Sequence, residues 1–289
     1  MSHLFCFGLG YCASHVARRC AARGWTISGT ATQDVGVADI NRRGYRGYVF
    51  DGTQPSADVT SALAQATHIL LSIPPGENGD PALHVHGTDI AASSSIQWIG
   101  YFSTVGVYGD SAGAWIDENT QPHPGSERGL RRLTAENEWL TLGATANKSV
   151  MIFRLPGIYG PGRSALDDLI KGTARRIVKP GQVFNRIHVE DIASAVEAAI
   201  DHPYAARAFN ITDDEPSPPQ DVVTFAATLL GIAPPQEIEF ATANLSPMGR
   251  SFYSENKRIA NTRMKTELGV RLQFPSYREG LRDIMRSQK

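Results

Sequence analysis

Residues 4–13, Leu4-Phe5-Cys6-Phe7-Gly8-Leu9-Gly10-Tyr11-Cys12-Ala13, decide how the rest of the chain is read. A short apolar run enters a G-x-G-x-x-A turn, and Ala13–Arg23 beyond it carries Val16, Ala17 and Cys20 at helical spacing. The pattern predicts strand, tight turn and helix. In such a unit the first glycine permits the turn, the second lets the backbone approach a pyrophosphate, and a small third residue keeps helix and strand close. Here those positions are Gly8, Gly10 and Ala13. The helix start at Tyr11 and Cys12 would present unpaired N–H groups and the positive end of the helix dipole to phosphates. Gly8, Gly10, Tyr11 and Cys12 are therefore the first candidate cofactor contacts. A second strand at Trp25–Ser28, announced by Gly24, supplies the context such a motif requires.

Outward from this unit, strands and helices alternate. Tyr48-Val49-Phe50, His68–Ile73, Trp98–Ser103 and Ser149–Leu155 read as apolar strands, and Val59–Ala66 and Arg131–Leu142 as helices. Continuous apolar strands separated by helices imply a parallel sheet covered on both faces. After Pro156 the pattern loosens, and prolines from Pro161 to Pro275 punctuate short elements. The expected fold is α/β: a Rossmann-type, doubly wound parallel sheet with a smaller mixed C-terminal lobe for substrate. Residues 1–160 would form the dinucleotide-binding part, with a returning segment around 186–203, and residues 161–289 most of the substrate lobe.

Charge and cysteine usage narrow the function. The 289 residues carry 28 Lys+Arg against 29 Asp+Glu, a formal net charge of −1. Nucleic-acid and membrane-surface partners need a basic field, so neither is expected. The apolar run at Ile69-Leu70-Leu71 is broken by Ser72 and Pro74, well short of the ~20 residues of a spanning helix. Cys6, Cys12 and Cys20 form no C-x-x-C pair, which argues against a disulfide framework and against a metal site. Buried thiols in a reducing, cytoplasmic setting are the reading. The apolar start lacks the Lys/Arg flank of a signal segment and is read as a strand.

The choice of dinucleotide turns on the end of the second strand, where NAD-binding proteins place an acid for the ribose 2′-hydroxyl. Here that end is Gly29-Thr30-Ala31-Thr32, with Asp34 further on. Thr30 and Thr32 replace the acid, which removes repulsion against a 2′-phosphate, and Arg42 or Arg43 can fold back toward it. NADP is favoured over NAD. Asp51-Gly52, after the third strand, is placed either to meet the adenine or to form a simple turn. Ser72, closing the fourth strand, completes the cofactor candidates on this side.

Five later blocks carry a family resemblance. They are Phe102-Ser103-Thr104-Val105-Gly106-Val107-Tyr108-Gly109, Arg154-Leu155-Pro156-Gly157-Ile158-Tyr159-Gly160-Pro161-Gly162, Ile187-His188-Val189-Glu190-Asp191-Ile192-Ala193, Phe209-Asn210-Ile211, and the stretch from Lys257 to Glu267-Leu268-Gly269. With the glycine turn they resemble the extended short-chain dehydrogenase/reductase family, which includes NAD-dependent epimerases and dehydratases. The resemblance implies a nicotinamide near Ser103 and Pro156, with Ser103 at the family's catalytic serine and Thr104 beside it. It also implies a Tyr-x-x-x-Lys pair on the following helix. Counting back from Ala135-Glu136, those positions hold Arg128 and Arg132. Arg132 retains the ability to hold a ribose or a phosphate. Arg128 cannot move a proton, because a guanidinium stays charged at any working pH.

Residues four apart share one helical face, so Arg128 and Arg132 form a candidate anion clamp within the cluster Glu127, Arg128, Arg131 and Arg132; a solvated face is the plainer alternative. Ser103, Thr104, Arg128, Arg132 and Tyr159 are the candidate catalytic residues. His188 is read as a core histidine and Tyr108 as structural. Tyr253-Ser254-Glu255-Asn256-Lys257 repeats the Tyr-x-x-x-Lys spacing in the second lobe and is expected in a surface loop. Arg154 and Arg250 are further anion candidates. The expected activity is an NAD(P)-dependent oxidoreductase or epimerase/dehydratase acting on a hydroxyl or carbonyl compound, anionic or nucleotide-linked, in a chain compatible with a homodimer. A non-catalytic NAD(P)-binding sensor or scaffold is the rival reading.

Overall fold

Apolar strands flanked by helices rich in small residues set the architecture. The structure is a computed structural model and describes residues 2–287. In chain order come β1 (His3–Phe7), α1 (Tyr11–Ala22), β2 (Thr26–Ala31), α2 (Asp34–Arg42), β3 (Arg46–Val49), α3 (Ala57–Gln65), β4 (His68–Leu71), α4 (Pro81–Ala92) and β5 (Trp98–Thr104). After a 3-10 turn over Val105–Tyr108 follow β6 (Trp115–Ile116), α5 (Glu127–Ala146), β7 (Ser149–Leu155), β8 (Gly157–Tyr159), α6 (Ala165–Ile170), β9 (Arg176–Val178) and β10 (Arg186–His188). The last elements are α7 (Val189–Asp201), β11 (Ala206–Asn210), α8 (Pro219–Leu230), β12 (Glu237–Glu239), α9 (Pro247–Phe252), β13 (Arg258–Ile259), α10 (Thr262–Glu267) and α11 (Tyr277–Ser287).

The elements fall into two units. The first comprises the chain up to Thr104, Ser126–Arg154 and Ile192–Phe209; the second comprises Val105–Gly125, Leu155–Asp191 and the chain from Asn210 onward. The returning segment thus starts at Ile192, and Val105–Gly125, placed in the dinucleotide part from sequence, groups with the second unit.

In the first unit the strand order is β11-β7-β5-β4-β1-β2-β3, with β1 parallel to β2 and β4, β2 parallel to β3, and β4 parallel to β5. This is the doubly wound sheet expected from sequence. Connections leave in opposite directions at β1 and β4, which makes their carboxyl ends the switch point where such sheets bind ligands. All of β1 is buried, and α1 lays Cys12, Ala13, Val16, Ala17 and Cys20 on the sheet. The three cysteines are free and buried. Burial pushes the Cys6 thiol well up and that of Cys20 to about 12. Phe5, Phe7, Leu63, Ile69, Leu71, Tyr101, Trp139 and Ile152 form the main core.

Strand β7 begins and ends where the sequence places it, while α5 is longer than expected at both ends. The Ser126 hydroxyl caps α5 by accepting from Gly129 N–H at 3.2 Å, and Asn147 ends it in the left-handed region at φ 52°. Helices α2 and α4 were not anticipated. Only Ile40 of α2 is buried, so no apolar stripe marks it. Helix α4 is announced instead by Asp80-Pro81, where the carboxylate accepts from Ala82 N–H at 3.0 Å and Leu83 N–H at 3.1 Å.

The second unit is built from short parallel strand pairs, β8 with β10, β9 with β12, and β6 with β13. Tyr159, Leu166, Val222, Ala226, Tyr277, Leu281 and Ile284 pack α6, α8 and α11 together. Tyr108 is structural as read: its hydroxyl donates to Asn210 Oδ1 at 2.9 Å.

At the amino end of the first unit's sheet, the His68 ring lies 4.6 Å from that of Trp25 and 6.0 Å from that of Trp98. Burial, reinforced by the Arg23 charge, depresses the His68 pKa to about 4. Neutral His68 therefore contributes stability that is present above its ordinary value of 6.5 and is lost as pH falls toward 4. His68→Phe should flatten this acid limb, so the urea midpoint of the variant should rise relative to that of wild type as pH drops from neutrality to about 4.5. A constant offset across that range would assign the acid sensitivity to another group.

Candidate functional site

The turn after β1 is shaped by its own glycines and by Thr30. Gly8 has φ +79°, and a Cβ there would lie 2.6 Å from Ile73 Cγ2. Gly8 N–H donates to Thr30 Oγ1 at 2.9 Å and Leu9 N–H to the Thr30 carbonyl at 2.9 Å. Thr30 is buried and braces the turn, a correction to its expected place at a ribose. The Cys12 side chain enters the core, which leaves its backbone N–H, the group singled out from sequence, as the part at the helix start. Ser72 N–H donates to the Phe7 carbonyl at 2.9 Å, which sets β4's end beside the turn at the switch point.

Gly10 is the N-cap of α1 and has no side-chain cap; a Cβ built on it would meet nothing within 4 Å. An uncapped helix start facing open space, at the carboxyl ends of β1 and β4, fits a dinucleotide pyrophosphate. Tyr11 flanks the opening, its ring 5.3 Å from that of His15. Thr32 is exposed just beyond β2. The Asp51 carboxylate accepts from Thr53 N–H at 2.9 Å and from its hydroxyl at 2.7 Å, the geometry of a self-closed turn, and these bonds hold its pKa low.

Between β5 and α5 lies a buried charged cluster. The Ser103 hydroxyl donates to Glu136, and Arg154 donates to the same carboxylate through Nε at 3.1 and 3.2 Å and Nη2 at 2.7 Å. Side-chain exposure is 8% for Arg154 and 2% for Glu136. Two expectations are corrected here. Ser103 is held by Glu136 in the core, and Arg154 is an internal counter-ion, so neither presents a free group to a ligand. Strand alternation turns Thr104, half-buried, to the opposite side from Ser103.

Arg132, half-buried, donates from Nη1 to the Phe102 carbonyl and lies 5.7 Å over the Tyr101 ring. Arg128, one turn earlier, is exposed and makes none of the described hydrogen bonds or ion pairs. Arg131 pairs instead with Glu127 at 3.3 Å and Glu77 at 3.8 Å. The two arginines thus share a face but differ: Arg132 is docked on the end of β5, while Arg128 projects into solvent.

The remaining candidates belong to the second unit, as does Pro156 after β7. Tyr159 is a core residue rather than a catalytic one. Its hydroxyl donates to the Ser276 carbonyl at 3.2 Å, its ring packs against Gly280, and burial pushes its pKa far up. His188 is the core histidine that was expected, 4.1 Å from the Phe274 ring and accepting from Glu190 N–H at 3.3 Å. Tyr253–Lys257 is a loop as expected, with Ser254 exposed, but its two ends are buried. Tyr253 packs 5.1 Å from Phe184 and 5.0 Å from Phe240, and Lys257 Nζ donates to the Gly109 carbonyl at 2.5 Å and to Glu255. Arg250 lies 5.1 Å over the Phe240 ring.

Sequence reasoning missed Glu136 as an organising residue and used it only as a counting mark. It also missed Asp213, whose carboxyl is pushed up to about 8 by burial in the second unit. Among the described residues no group of three or more His, Cys, Asp or Glu could hold a metal ion, and no helix is long and apolar enough to cross a membrane.

The glycine turn, the parallel sheet and the later blocks have counterparts in known proteins. The NAD dependent epimerase/dehydratase family matches residues 8–212. The chain belongs to that family, and NAD chemistry is its cofactor class. Protein YeeZ of Escherichia coli strain K12 is 28% identical over 292 residues, covering 93% of this chain and 94% of that protein. A Streptomyces protein named 3-diazoavenalumate denitrifying reductase is 30% identical over 173 residues, covering 55% of this chain and 54% of its own. A solved structure from Silicibacter pomeroyi, described as a functionally unknown conserved protein, is 44% identical over 100% of both chains with a TM-score of 0.91. UDP-glucuronic acid 4-epimerase from Bacillus cereus, solved with UDP-glucuronic acid and NAD, shares the fold at 16% identity and a TM-score of 0.77 over 100% of both chains.

Two substitutions separate cradle from scaffold. Gly10→Val points its side chain into open space, so it should lower the unfolding temperature only by the modest cost of valine at a helix N-cap while weakening dinucleotide binding at least about tenfold by fluorescence titration. Gly8→Ala meets Ile73 at a positive φ and should lower the unfolding temperature more. In the β5–α5 cluster, Glu136→Ala strands a buried guanidinium and should cost about 3–5 kcal/mol in chemical denaturation. Ser103→Ala, which removes one hydroxyl donor from the same carboxylate, should cost less, about 1.5–3 kcal/mol. Equal losses for the two would contradict a buried ion pair as the dominant contact.

Proposed function

We propose that the chain is an atypical family member, an NAD(P)H-dependent reductase in which fixed arginine charge replaces tyrosine proton transfer. The carrying observation is the pair Arg128 and Arg132, one turn apart on α5, with Arg128 free in solvent and Arg132 docked on the Phe102 carbonyl. The substrate class is a small anionic or nucleotide-linked compound with an electrophilic carbon, and the second unit is the substrate-recognising part. The Streptomyces relative, named a reductase, supports the direction of the chemistry.

The reduced dinucleotide supplies hydride when bound. This chain's residues then do three things. Gly8 and Gly10 open the backbone at the N-terminus of α1 for the pyrophosphate. Arg132 holds a ribose hydroxyl or a phosphate with the N–H groups not given to Phe102. Arg128 binds the anionic substrate and stabilises negative charge that develops on it. The proton follows from water, or is not needed where hydride displaces a leaving group.

A non-catalytic binder is the competing reading, favoured by the engagement of Ser103 with Glu136. Turnover of NADPH or NADH against a panel of carbonyl and other electrophilic compounds, followed by loss of reduced-nicotinamide absorbance, separates the two. Tight binding with no turnover across the panel supports the binder. For the reductase, kcat/KM should lack a basic limb between about pH 6 and 9, because a guanidinium does not titrate there. Arg128→Ala should lower kcat/KM at least about tenfold, and Arg128→Tyr should not restore it. A basic limb abolished by Arg128→Ala would contradict the fixed-charge role.

A further inference from the structure

On the outer side of α1 a groove of about 370 Å³ is lined by Ser14, His15, Arg18, Arg43 and Tyr45. Arg43 arrives from the C-terminal end of α2 and donates from Nη1 to the Ser14 hydroxyl at 2.6 Å. That hydroxyl in turn donates to the Gly10 carbonyl at 2.7 Å. The Arg43 guanidinium therefore stands two hydrogen bonds from the second glycine of the turn, the residue at which the cradle is open.

The contrast with its neighbour is informative. Arg42 is neutralised by Asp39 at 2.5 Å, whereas no carboxylate pairs with Arg43 in the described contacts. The charges of Arg43 and Arg18 both act on the Tyr45 hydroxyl, against the larger effect of its burial, so both guanidiniums face one space. The end of β2 completes the picture. Thr32 is exposed there, and the first carboxylate beyond it, Asp34, lies in the first turn of α2. Nothing at the strand end selects a bare ribose, and a braced fork of N–H donors waits on the adjacent helix. A guanidinium in that setting matches the charge and the planar, two-point geometry of a phosphate monoester.

Resting on the dinucleotide reading above, we propose that Arg43, braced by Ser14, receives the 2′-phosphate of the adenosine ribose and so makes this chain select NADP over NAD. Ser14 acts as a positioning residue: its proton is committed to Gly10, and its lone pair fixes the guanidinium. Arg43 touches the ligand.

Calorimetric titration of the full chain with NADP+, NAD+, 2′,5′-ADP and 5′-AMP tests this. Wild type should bind NADP+ at least about tenfold tighter than NAD+, and 2′,5′-ADP tighter than 5′-AMP by a similar factor. Arg43→Ala should erase both differences by weakening only the 2′-phosphorylated ligands, leaving NAD+ within about twofold. Arg43→Lys, which keeps the charge and loses the fork, should fall between. Ser14→Ala should lower NADP+ affinity while sparing NAD+. Equal affinity of wild type for the two dinucleotides, or equal losses for both in Arg43→Ala, overturns the assignment of Arg43 and leaves the dinucleotide reading intact. Failure of wild type to bind either dinucleotide overturns both, and is a distinguishable result.

Discussion

The pairing of Glu136 with Arg154 is the contact on which the arrangement around the proposed chemistry depends. It joins the middle of α5 to β7 through two donors on one carboxylate, and the Ser103 hydroxyl adds a tie to β5. In a low-dielectric interior, charges this close are held only in good geometry, since either partner alone would be buried without compensation. Helix α5 is thereby fixed in rotation and height against two strands. The consequence lies one and two turns toward its start, where Arg132 reaches the Phe102 carbonyl and Arg128 points outward. What looks like a charged surface cluster in sequence is the free end of a lever whose fulcrum is buried.

The legible part of the fold was the part written in local pattern. The run Leu4–Phe7 with Gly8, Gly10 and Ala13 specifies strand, turn and helix within one short window, and the structure places each there. The continuous apolar run Val150–Phe153 marks β7 by its own composition. Helix α2 was missed because one buried residue in nine leaves no periodic stripe. Helix α4 was missed although its cap, Asp80 before Pro81, was in plain view.

The candidate site was less legible, for a physical reason. Whether Ser103 is free depends on Glu136, which lies on another element, and only the packed molecule brings them together. The buried ends of the Tyr253–Lys257 loop were hidden in sequence because its polar residues carry no sign of the carbonyl at Gly109 that Lys257 meets across the second unit. Tyr159 is similar: a tyrosine after a strand reads as pocket-lining until Gly280 of α11 is found against its ring. The absent acid at the end of β2 was legible, whereas the hydrogen bond from Arg43 to Ser14 was only a possibility for an arginine near that strand. Sequence shows which side chains are available, and packing decides which of them remain so.

The placement of the three thiols has a consequence for motion. Cys6 lies within β1, Cys12 in the first turn of α1 and Cys20 in its last, all buried. A thiol reagent needs an accessible thiolate, so modification proceeds only when strand and helix part locally. The chain therefore carries an internal clock on the breathing of its glycine turn, with Cys12 reporting from the helix start and Cys6 from the strand beneath. Any ligand that ties the helix start to the turn slows that clock without touching sulfur.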